Sequence, residues 1–97
     1  MPLQLHVGAP ASASLAEQVA FIVRAESLGF DGAGLAEDAR FGDPFETLIA
    51  AADQTSRIWL YPVVTNPITR TPSQQVTLIR RVAERAPGRV KLAIGAG

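Results

Sequence analysis

Residues 58–86 read IWLYPVVTNPITRTPSQQVTLIRRVAERA and contain the unit from which the fold follows. The segment starts with an apolar run, Ile58 to Val64, which is short and bounded by turn residues, as expected for a β-strand. It continues with Thr71-Pro72-Ser73-Gln74, a capping box with proline at the first helical position, which predicts the start of a helix. Pro87-Gly88 ends this helix. The apolar residues after the cap recur at helical spacing and predict one buried stripe of Val76, Ile79, Val82, Ala83 and Ala86.

The same helix-start signal occurs twice more, at Ser14-Leu15-Ala16-Glu17 and at Asp43-Pro44-Phe45-Glu46, so the three caps are 29 and 28 residues apart. A short apolar run precedes each cap, and one more follows the third helix. The middle helix is predicted from Pro44 to about Thr55. The predicted order is therefore β-α-β-α-β-α-β, with strands at Leu3 to Val7, Gly32 to Glu37, Ile58 to Val64 and Val90 to Ile94.

Repeated strand–helix units of this length imply parallel strands joined by right-handed crossovers. Two architectures use such units, an open doubly wound sheet and the (β/α)8 barrel. Gly8-Ala9-Pro10-Ala11 lacks the glycine spacing of a dinucleotide-binding loop, which argues against an open sheet that starts at residue 1. Because the chain stops at Gly95-Ala96-Gly97, directly after a strand, we expect residues 1–97 to be the N-terminal half of a barrel, a partial domain. The same three residues can also open a G-x-G-x-x-G loop, which keeps a nucleotide-binding open sheet as a third possibility.

The composition narrows the classes of function. The chain has 97 residues, a formal net charge of zero, one histidine and no cysteine. A neutral chain is not expected to bind nucleic acid or a membrane surface. The lack of cysteine excludes disulfides and thiolate metal sites, and a single histidine argues against a zinc site, so we expect no metal. Without a signal-peptide pattern or an apolar run of about 20 residues, we expect a soluble cytoplasmic protein.

In either architecture, ligands gather at the carboxyl ends of the strands. Glu37-Asp38 is the only acidic pair at such an end, and a carboxylate there can accept a hydrogen bond from a bound ring or exchange a proton. Alternatively, both acids are solvated loop residues beside Arg40. His6 alternates with Leu5 and Val7, so we expect it to face the barrel interior, as a proton-transfer group or as a hydrogen-bonded core residue.

A polar turn follows the third predicted strand. Its Thr65 and Asn66 can exchange hydrogen bonds with a planar heterocycle, and Arg70 can hold a carboxylate or a phosphate. The alternative is an Asn66-Pro67 turn with a solvent-facing arginine. The residues alone leave both interpretations open.

Several segments together resemble the luciferase-like monooxygenase superfamily. Residues 64–72 (VTNPITRTP) resemble its strand-three signature, and residues 86–97 (APGRVKLAIGAG) resemble its strand-four signature. Residues 25–31 and 55–58 are similar to the family's turns into strands two and three. The short loop from Glu37 to Phe45 is most similar to the branch that includes methylenetetrahydromethanopterin reductase. The resemblance extends over essentially the whole chain.

This resemblance implies a (β/α)8 barrel that holds FMN or the 8-hydroxy-5-deazaflavin coenzyme at its C-terminal face. The implied reaction is hydride transfer or monooxygenation of a small organic substrate, by a homo-oligomer that needs a flavin reductase partner if FMN is used. An aspartate–histidine pair commonly follows strand two, so Asp38 is the implied catalytic residue. Ala39 stands at the histidine position, which assigns proton transfer to another group. The implied cofactor contacts are His6, Gly8, Val63, Val64, Thr65, Asn66, Gly95 and Gly97.

Exposed strand edges also permit a different interpretation. Four parallel strands with open edges can pair with a second copy, which would make the chain a non-catalytic half-barrel that self-associates as a binding or assembly module. If the chain is instead part of a longer oxidoreductase, we expect the 97 residues alone to be inactive, because half of the barrel rim is absent.

Overall fold

Strands and helices alternate along the chain in the predicted order. The computed structural model describes residues 3–38, 40–63 and 70–93. The strands and helices within these residues are β1 (His6–Ala9), α1 (Leu15–Ser27), β2 (Gly32–Leu35), α2 (Pro44–Gln54), β3 (Trp59–Pro62) and α3 (Pro72–Arg85). None of the helices in these ranges is long and apolar enough to cross a membrane.

The three strands pair in parallel in the order β1-β2-β3, with His6 opposite Gly32 and Gly32 opposite Trp59. After α3, Val90 forms a single parallel bridge with Leu60. This bridge places the segment after α3 beside β3, where the fourth strand of a barrel belongs. The described elements therefore have the alternation and the parallel pairing of consecutive units in a (β/α)8 barrel, which confirms the predicted fold class.

The helix starts lie where the capping signals predict them. Ser14 and Thr71 form complete capping boxes, in which the hydroxyl accepts the backbone N–H three residues on and that residue's side chain accepts the cap's own N–H. Asp43 differs, because its carboxylate accepts the N–H of Phe45, two residues on. The helix still starts at Pro44, since one satisfied N–H and a proline at the first helical position are sufficient.

The prediction for the first strand is wrong by about three residues, because β1 covers His6–Ala9 rather than Leu3–Val7. The N–H of Leu5 donates to the Asp31 carboxylate at 2.8 Å, and the carbonyl of Leu5 accepts the N–H of Asp31 at 2.7 Å. Leu5 is thus held by the turn before β2, and it stays 50% exposed. Alternation along the strand is nevertheless as predicted, since Ala9 lies in the core and His6 faces the opposite side.

The other strands are also shorter than predicted. β2 ends at Leu35 rather than Glu37, and β3 covers Trp59–Pro62 rather than Ile58–Val64, whose last residue lies outside the described residues. Of the fourth strand predicted at Val90 to Ile94, the described part forms only the Val90 bridge. β3 starts late because the N–H of Ile58 donates to a side chain of α1 and not to a neighbouring strand.

The core lies between the helices and the helix-facing side of the sheet. Of the stripe predicted for the third helix, Val82 and Ala86 are buried and Ile79 packs against the core. Val76 is outside the core and 43% exposed, and the neighbouring Gln75 is buried instead. The largest fully buried apolar side chains are Ile22, Leu35, Phe45, Leu48, Ile58, Leu60 and Val82.

A carboxylate fastens the turn before β3 to the end of α1. One oxygen of Glu26, Oε2, accepts the backbone N–H groups of Ser56, Arg57 and Ile58 at 3.0, 2.8 and 2.9 Å. Burial alone would raise the pKa of Glu26, but these three N–H groups and the Arg57 guanidinium outweigh it and lower the pKa below 4.5. Arg57 also donates to the carbonyl of Glu26 at 2.7 Å, so two turns at the N-terminal end of the sheet are tied together.

Arg89 connects the end of α2 to the segment before β3. Its guanidinium donates to the carbonyls of Thr55 and Ile58 at 3.1 Å each and to the Thr55 hydroxyl at 2.9 Å. These oxygens lie at the end of α2 and before β3, where carbonyls lack helical partners. The Gly88-Arg89 pair in the strand-four signature therefore has a structural reason, since the arginine holds the end of α2 against the entry of β3.

We expect Glu26→Gln to lower the free energy of unfolding by about 1–2 kcal/mol at neutral pH, because a neutral amide oxygen replaces a charged acceptor of three N–H groups. The folded-state pKa of Glu26 is lowered, so the carboxylate stabilises the fold above pH 4.5, and this stabilisation is lost as the pH falls further. Urea unfolding between pH 7 and pH 3 measures both effects. Glu84→Gln, on the exposed face of α3, is the control, and equal pH slopes for the wild type and Glu26→Gln would contradict the assignment.

Candidate functional site

The side of the sheet opposite the helices forms what we call the inner face. Side chains alternate along a strand, and Ala9, Ala33, Leu35 and Leu60 point to the helices. The alternate positions of each strand face inward. They are His6 and Gly8 on β1, Gly32 and Gly34 on β2, and Trp59 and Tyr61 on β3. The inner face thus has polar and aromatic groups on its outer strands and no side chain on its central strand.

The two glycines of β2 make room for side chains of the neighbouring strands. A Cβ atom at Gly32 would collide with the His6 imidazole. A Cβ atom at Gly34 would lie 2.6 Å from Val63 Cγ2 and 2.9 Å from Tyr61 Cε2. The side chains of β1 and β3 therefore lean over β2 from both sides.

His6 and Tyr61 meet above β2. The Tyr61 hydroxyl and His6 Nδ1 are 2.6 Å apart, and the two rings are tilted by 48° with their centroids 5.7 Å apart. Burial raises the pKa of the Tyr61 phenol. Gln4 Oε1 lies 3.4 Å from His6 Nε2 and favours a proton on that nitrogen, which leaves Nδ1 to accept the hydrogen bond of the Tyr61 hydroxyl. Lys91 Nζ lies 4.5 Å from the centre of the Tyr61 ring, a cation–π contact.

A cavity of about 310 Å³ opens on the inner face next to this pair. Its walls are largely backbone and small side chains, and the imidazole and the phenol are the only polar side chains that line it among the described residues. The lining residues are His6, Val7, Gly8, Ala9, Gly34, Ala36, Tyr61 and Val63.

Asp38 is held by Arg40 in the loop after β2. Its two carboxylate oxygens accept hydrogen bonds from Arg40 Nε at 3.1 Å and Nη2 at 2.8 Å, and Oδ1 also accepts the Arg40 backbone N–H at 3.0 Å. The side-chain bonds, followed by the backbone bond, lower the pKa of Asp38 to about 2. Asp38 is therefore a fixed negative charge at neutral pH, which can accept hydrogen bonds and cannot donate a proton.

Arg70 joins three elements at the carboxyl end of the sheet. Its guanidinium pairs with Glu37 after β2 and with Asp43 at the cap of α2, the latter at 3.0 Å. It also lies over the Phe45 ring, with Cζ 5.2 Å from the centroid. Its side chain is only 22% exposed, so the predicted alternative of a solvent-facing arginine is wrong. Although burial opposes it, the two carboxylates raise the pKa of Arg70.

The structure brings together three of the predicted cofactor contacts. His6, Gly8 and Val63 line the inner-face cavity, whereas Asp38 is paired with Arg40 and is not among the lining residues. The other predicted contacts, Val64, Thr65, Asn66, Gly95 and Gly97, lie outside the described residues, as does Ala39.

Tyr61 is a polar cavity residue that was not predicted from the sequence. It is the only tyrosine of the chain and lies in an apolar run that predicts a buried strand. The sequence signal that could have identified it is its place in the alternation of inward and outward residues along the strand. Leu60 lies in the core, so the alternation of a strand turns its neighbour Tyr61 to the face that His6 occupies.

A family model and several solved structures match the chain. The family model of luciferase-like monooxygenases matches residues 2–97. Coenzyme F420-dependent tetrahydromethanopterin reductase from Methanopyrus kandleri is 26% identical to the chain and superposes with a TM-score of 0.94. All of the chain is covered by this match, which spans 28% of the reductase chain.

Two further solved structures share the fold. The oxygenating constituent of 3,6-diketocamphane monooxygenase from Pseudomonas putida, in complex with FMN, gives a TM-score of 0.84 at 24% identity. An F420-dependent secondary alcohol dehydrogenase in complex with an F420–acetone adduct gives a TM-score of 0.81 at 23% sequence identity. The matches cover 100% and 98% of the chain but only 30% and 32% of those proteins. The chain thus spans about a third of the length of the solved structures that it matches.

We expect Arg70→Met to lower the free energy of unfolding by about 1–2 kcal/mol, because the partly buried carboxylates of Glu37 and Asp43 lose a shared cation. Arg70→Lys should recover only part of the loss, since one ammonium group cannot reach both carboxylates as a guanidinium does. Arg85→Met is the control, because the pair between Arg85 of α3 and Asp53 of α2 is about half exposed. Urea unfolding measures all three variants, and equal effects of Arg70→Met and Arg85→Met would contradict this role.

Proposed function

Because the chain belongs to the luciferase-like monooxygenase family, we propose that it is part of an oxidoreductase that transfers a hydride between a flavin-type ring and a small organic substrate. The observation that supports this proposal is the inner-face cavity, which lies on parallel strands toward their carboxyl ends and has two glycines, Gly8 and Gly34, in its wall. Sites at this end of a barrel bind cofactors and substrates in enzymes with this architecture.

The described residues fit a planar ring. Gly8, Gly34 and Ala36 present backbone and methyl groups, which form a flat surface for a heteroaromatic ring to pack against. Val63 adds an apolar side chain, and a cavity of about 310 Å³ is within the range of small-molecule sites. The wall is open at Gly8 in particular, since nothing lies within 4 Å of a Cβ atom placed there.

The comparisons favour the deazaflavin coenzyme over FMN. The match at 26% identity is to an F420-dependent reductase, so the deazaflavin coenzyme is the first candidate, and FMN is the alternative. Either ring, when bound, supplies the hydride chemistry. The part of the protein in this chain would bind the ring, orient it and exclude water from one side.

Asp38 has a more limited role in this proposal than the sequence analysis expected. A carboxylate with a pKa of about 2 remains charged, so it would orient the ring or the substrate by accepting a hydrogen bond rather than by exchanging a proton. Its pair with Arg40 fixes the direction of that charge. Contacts from Val64, Thr65, Asn66, Gly95 and Gly97 are proposed from the family resemblance alone.

The rest of the active protein is also a proposal. The chain spans about a third of the structures that it matches, and we propose that residues 1–97 are a partial barrel domain whose remaining strands close the site. A small-molecule substrate and a homo-oligomeric protein belong to the same proposal. If FMN is the cofactor, a flavin reductase partner would supply its electrons.

Titration of the purified full-length protein with the oxidised deazaflavin coenzyme and with FMN tests this function. We expect saturable binding of at least one of them, followed by fluorescence, and failure of both to bind would contradict the proposal. Gly8→Leu should weaken binding about tenfold or more, because the new side chain fills the cavity, at a cost of about 1.4 kcal/mol or more.

The control for Gly8→Leu is Gly42→Ala, which adds a side chain to open space in the loop before α2. Both variants should unfold at the temperature of the wild type, since neither position is crowded. Ring binding that is unchanged in Gly8→Leu would place the ring elsewhere, even if the protein binds it.

A further inference from the structure

We propose that Tyr61 is an acid–base catalyst of this oxidoreductase and that His6 is the group with which Tyr61 exchanges its proton. The inference rests on the function proposed above and adds to it a path for the proton that accompanies the hydride. It also limits the substrate, which must have an O–H or N–H group on the carbon that loses the hydride.

The position of Tyr61 and His6 on the cavity wall supports the first part of the proposal, that Tyr61 can exchange a proton with a bound molecule. Tyr61 is 8% exposed and lines the inner-face cavity, so its hydroxyl can reach a molecule in that cavity. The same hydroxyl is 2.6 Å from His6 Nδ1, which is within the range for direct proton transfer between heavy atoms. His6 lines the same cavity, and its second ring nitrogen faces Gln4, so the imidazole can pass a proton on from the buried hydroxyl.

The orientation of the hydrogen bonds supports the second part of the proposal, that His6 Nδ1 can accept the proton of Tyr61. The Tyr61 hydroxyl lies 2.6 Å from Nδ1, and a proton on Nε2 leaves Nδ1 as the acceptor of its hydrogen bond. Gln4 Oε1, 3.4 Å from Nε2, favours the same tautomer. The unprotonated Nδ1 is thus the acceptor that a proton leaving the cavity requires.

The transfer balances as an oxidation of the substrate. The C–H bond breaks with its electron pair, and the hydride goes to the oxidised ring. The O–H or N–H bond breaks as its proton passes to Tyr61 Oη, while the proton of Tyr61 passes to His6 Nδ1. The substrate gains a C=O or C=N bond, and the imidazolium releases one proton to water. Reduction of a carbonyl or an imine follows the same path in reverse.

The surrounding charges favour this path. Lys91 Nζ, 4.5 Å from the Tyr61 ring centre, stabilises the negative charge that develops on the phenol as its proton leaves. β2 presents only Gly32 and Gly34 on this face, so no side chain separates the two rings. Among the described residues, Lys91, Gln4 and Trp59 are the other side chains that surround the pair.

Two variants separate proton transfer from packing. Tyr61→Phe keeps the ring over Gly34 and removes only the hydroxyl. His6→Asn keeps a hydrogen-bond acceptor near the position of Nδ1 and removes the group that can pass a proton on. Trp59→Phe, on the same face of β3, is the control for a change of aromatic side chain without a role in proton transfer.

We expect Tyr61→Phe and His6→Asn each to lower kcat by about 10²- to 10⁴-fold, with KM for the coenzyme unchanged. The assays use the full-length protein, with propan-2-ol, cyclohexanol and pyrrolidine as reductants of the oxidised deazaflavin coenzyme, or of FMN if only FMN binds. The double variant should lose no more than the more impaired single variant, because the two residues act as one unit. Wild-type kcat in Tyr61→Phe, or additive losses, would overturn the proposal.

A second measurement needs no turnover. In ¹⁵N-histidine NMR spectra of the protein at neutral pH, His6 Nδ1 should be unprotonated and Nε2 protonated, and Tyr61→Phe should shift this tautomer balance. A protonated Nδ1 with a bare Nε2 in the wild type, or a balance unaffected by Tyr61→Phe, would overturn the assigned direction of the hydrogen bonds.

The outcomes also distinguish the two proposals. If neither ring cofactor binds, the proposed function fails. If a ring binds but none of the three probes reduces it in the wild type, the function stands and the acid–base role of Tyr61 is overturned together with its class of substrate. If the wild type is active and Tyr61→Phe is equally active, only the role of Tyr61 fails.

Discussion

The inner face of β2 has no side chains, because glycine occupies both of its inward positions. This absence is the constraint on which the candidate site depends. A methyl group at Gly32 would displace the His6 imidazole, and one at Gly34 would displace Val63 and the Tyr61 ring. The glycines thereby permit a hydrogen bond between side chains of two strands that do not pair with each other, and they leave a flat backbone wall beside it. The two glycines lower the stability of β2, since glycine has no side chain to pack and a low preference for strands.

The two ends of the sheet perform different tasks. At the N-terminal end, Glu26 and Arg89 bind backbone N–H and carbonyl groups of the turns before β3, and these bonds connect main-chain segments. At the carboxyl end, ion pairs connect side chains of loops, with Asp38 bound to Arg40 and Arg70 bound to Glu37 and Asp43. This division is expected of a (β/α)8 barrel, in which one face stabilises the fold and the other carries the chemistry.

The helices were predictable from sequence because their starts are local. A hydroxyl and a glutamate or glutamine three residues apart satisfy each other's N–H groups within a single turn, so Ser14 and Thr71 define their helices without any tertiary contact. The strand limits were not predictable, because they depend on distant partners. Asp31 takes the N–H of Leu5, and Glu26 takes the N–H of Ile58, across 26 and 32 residues of sequence. Gly8 and His6 could be placed on the inner face by alternation, but the Tyr61 bond to His6 spans 55 residues and needed the sheet register.

The charge state of Asp38 separates two tasks that a single catalytic acid would otherwise combine. With its pKa lowered to about 2 by Arg40, this carboxylate can hold a fixed dipole or N–H group in place but has no proton to give. A hydride transfer to or from a carbon next to oxygen or nitrogen still has to move a proton. Among the described residues, the inner-face cavity offers one pair able to do so, a buried phenol bound to an imidazole. In the proposed function, orientation by a permanent charge at the loop and proton exchange deeper in the sheet would therefore fall to different residues.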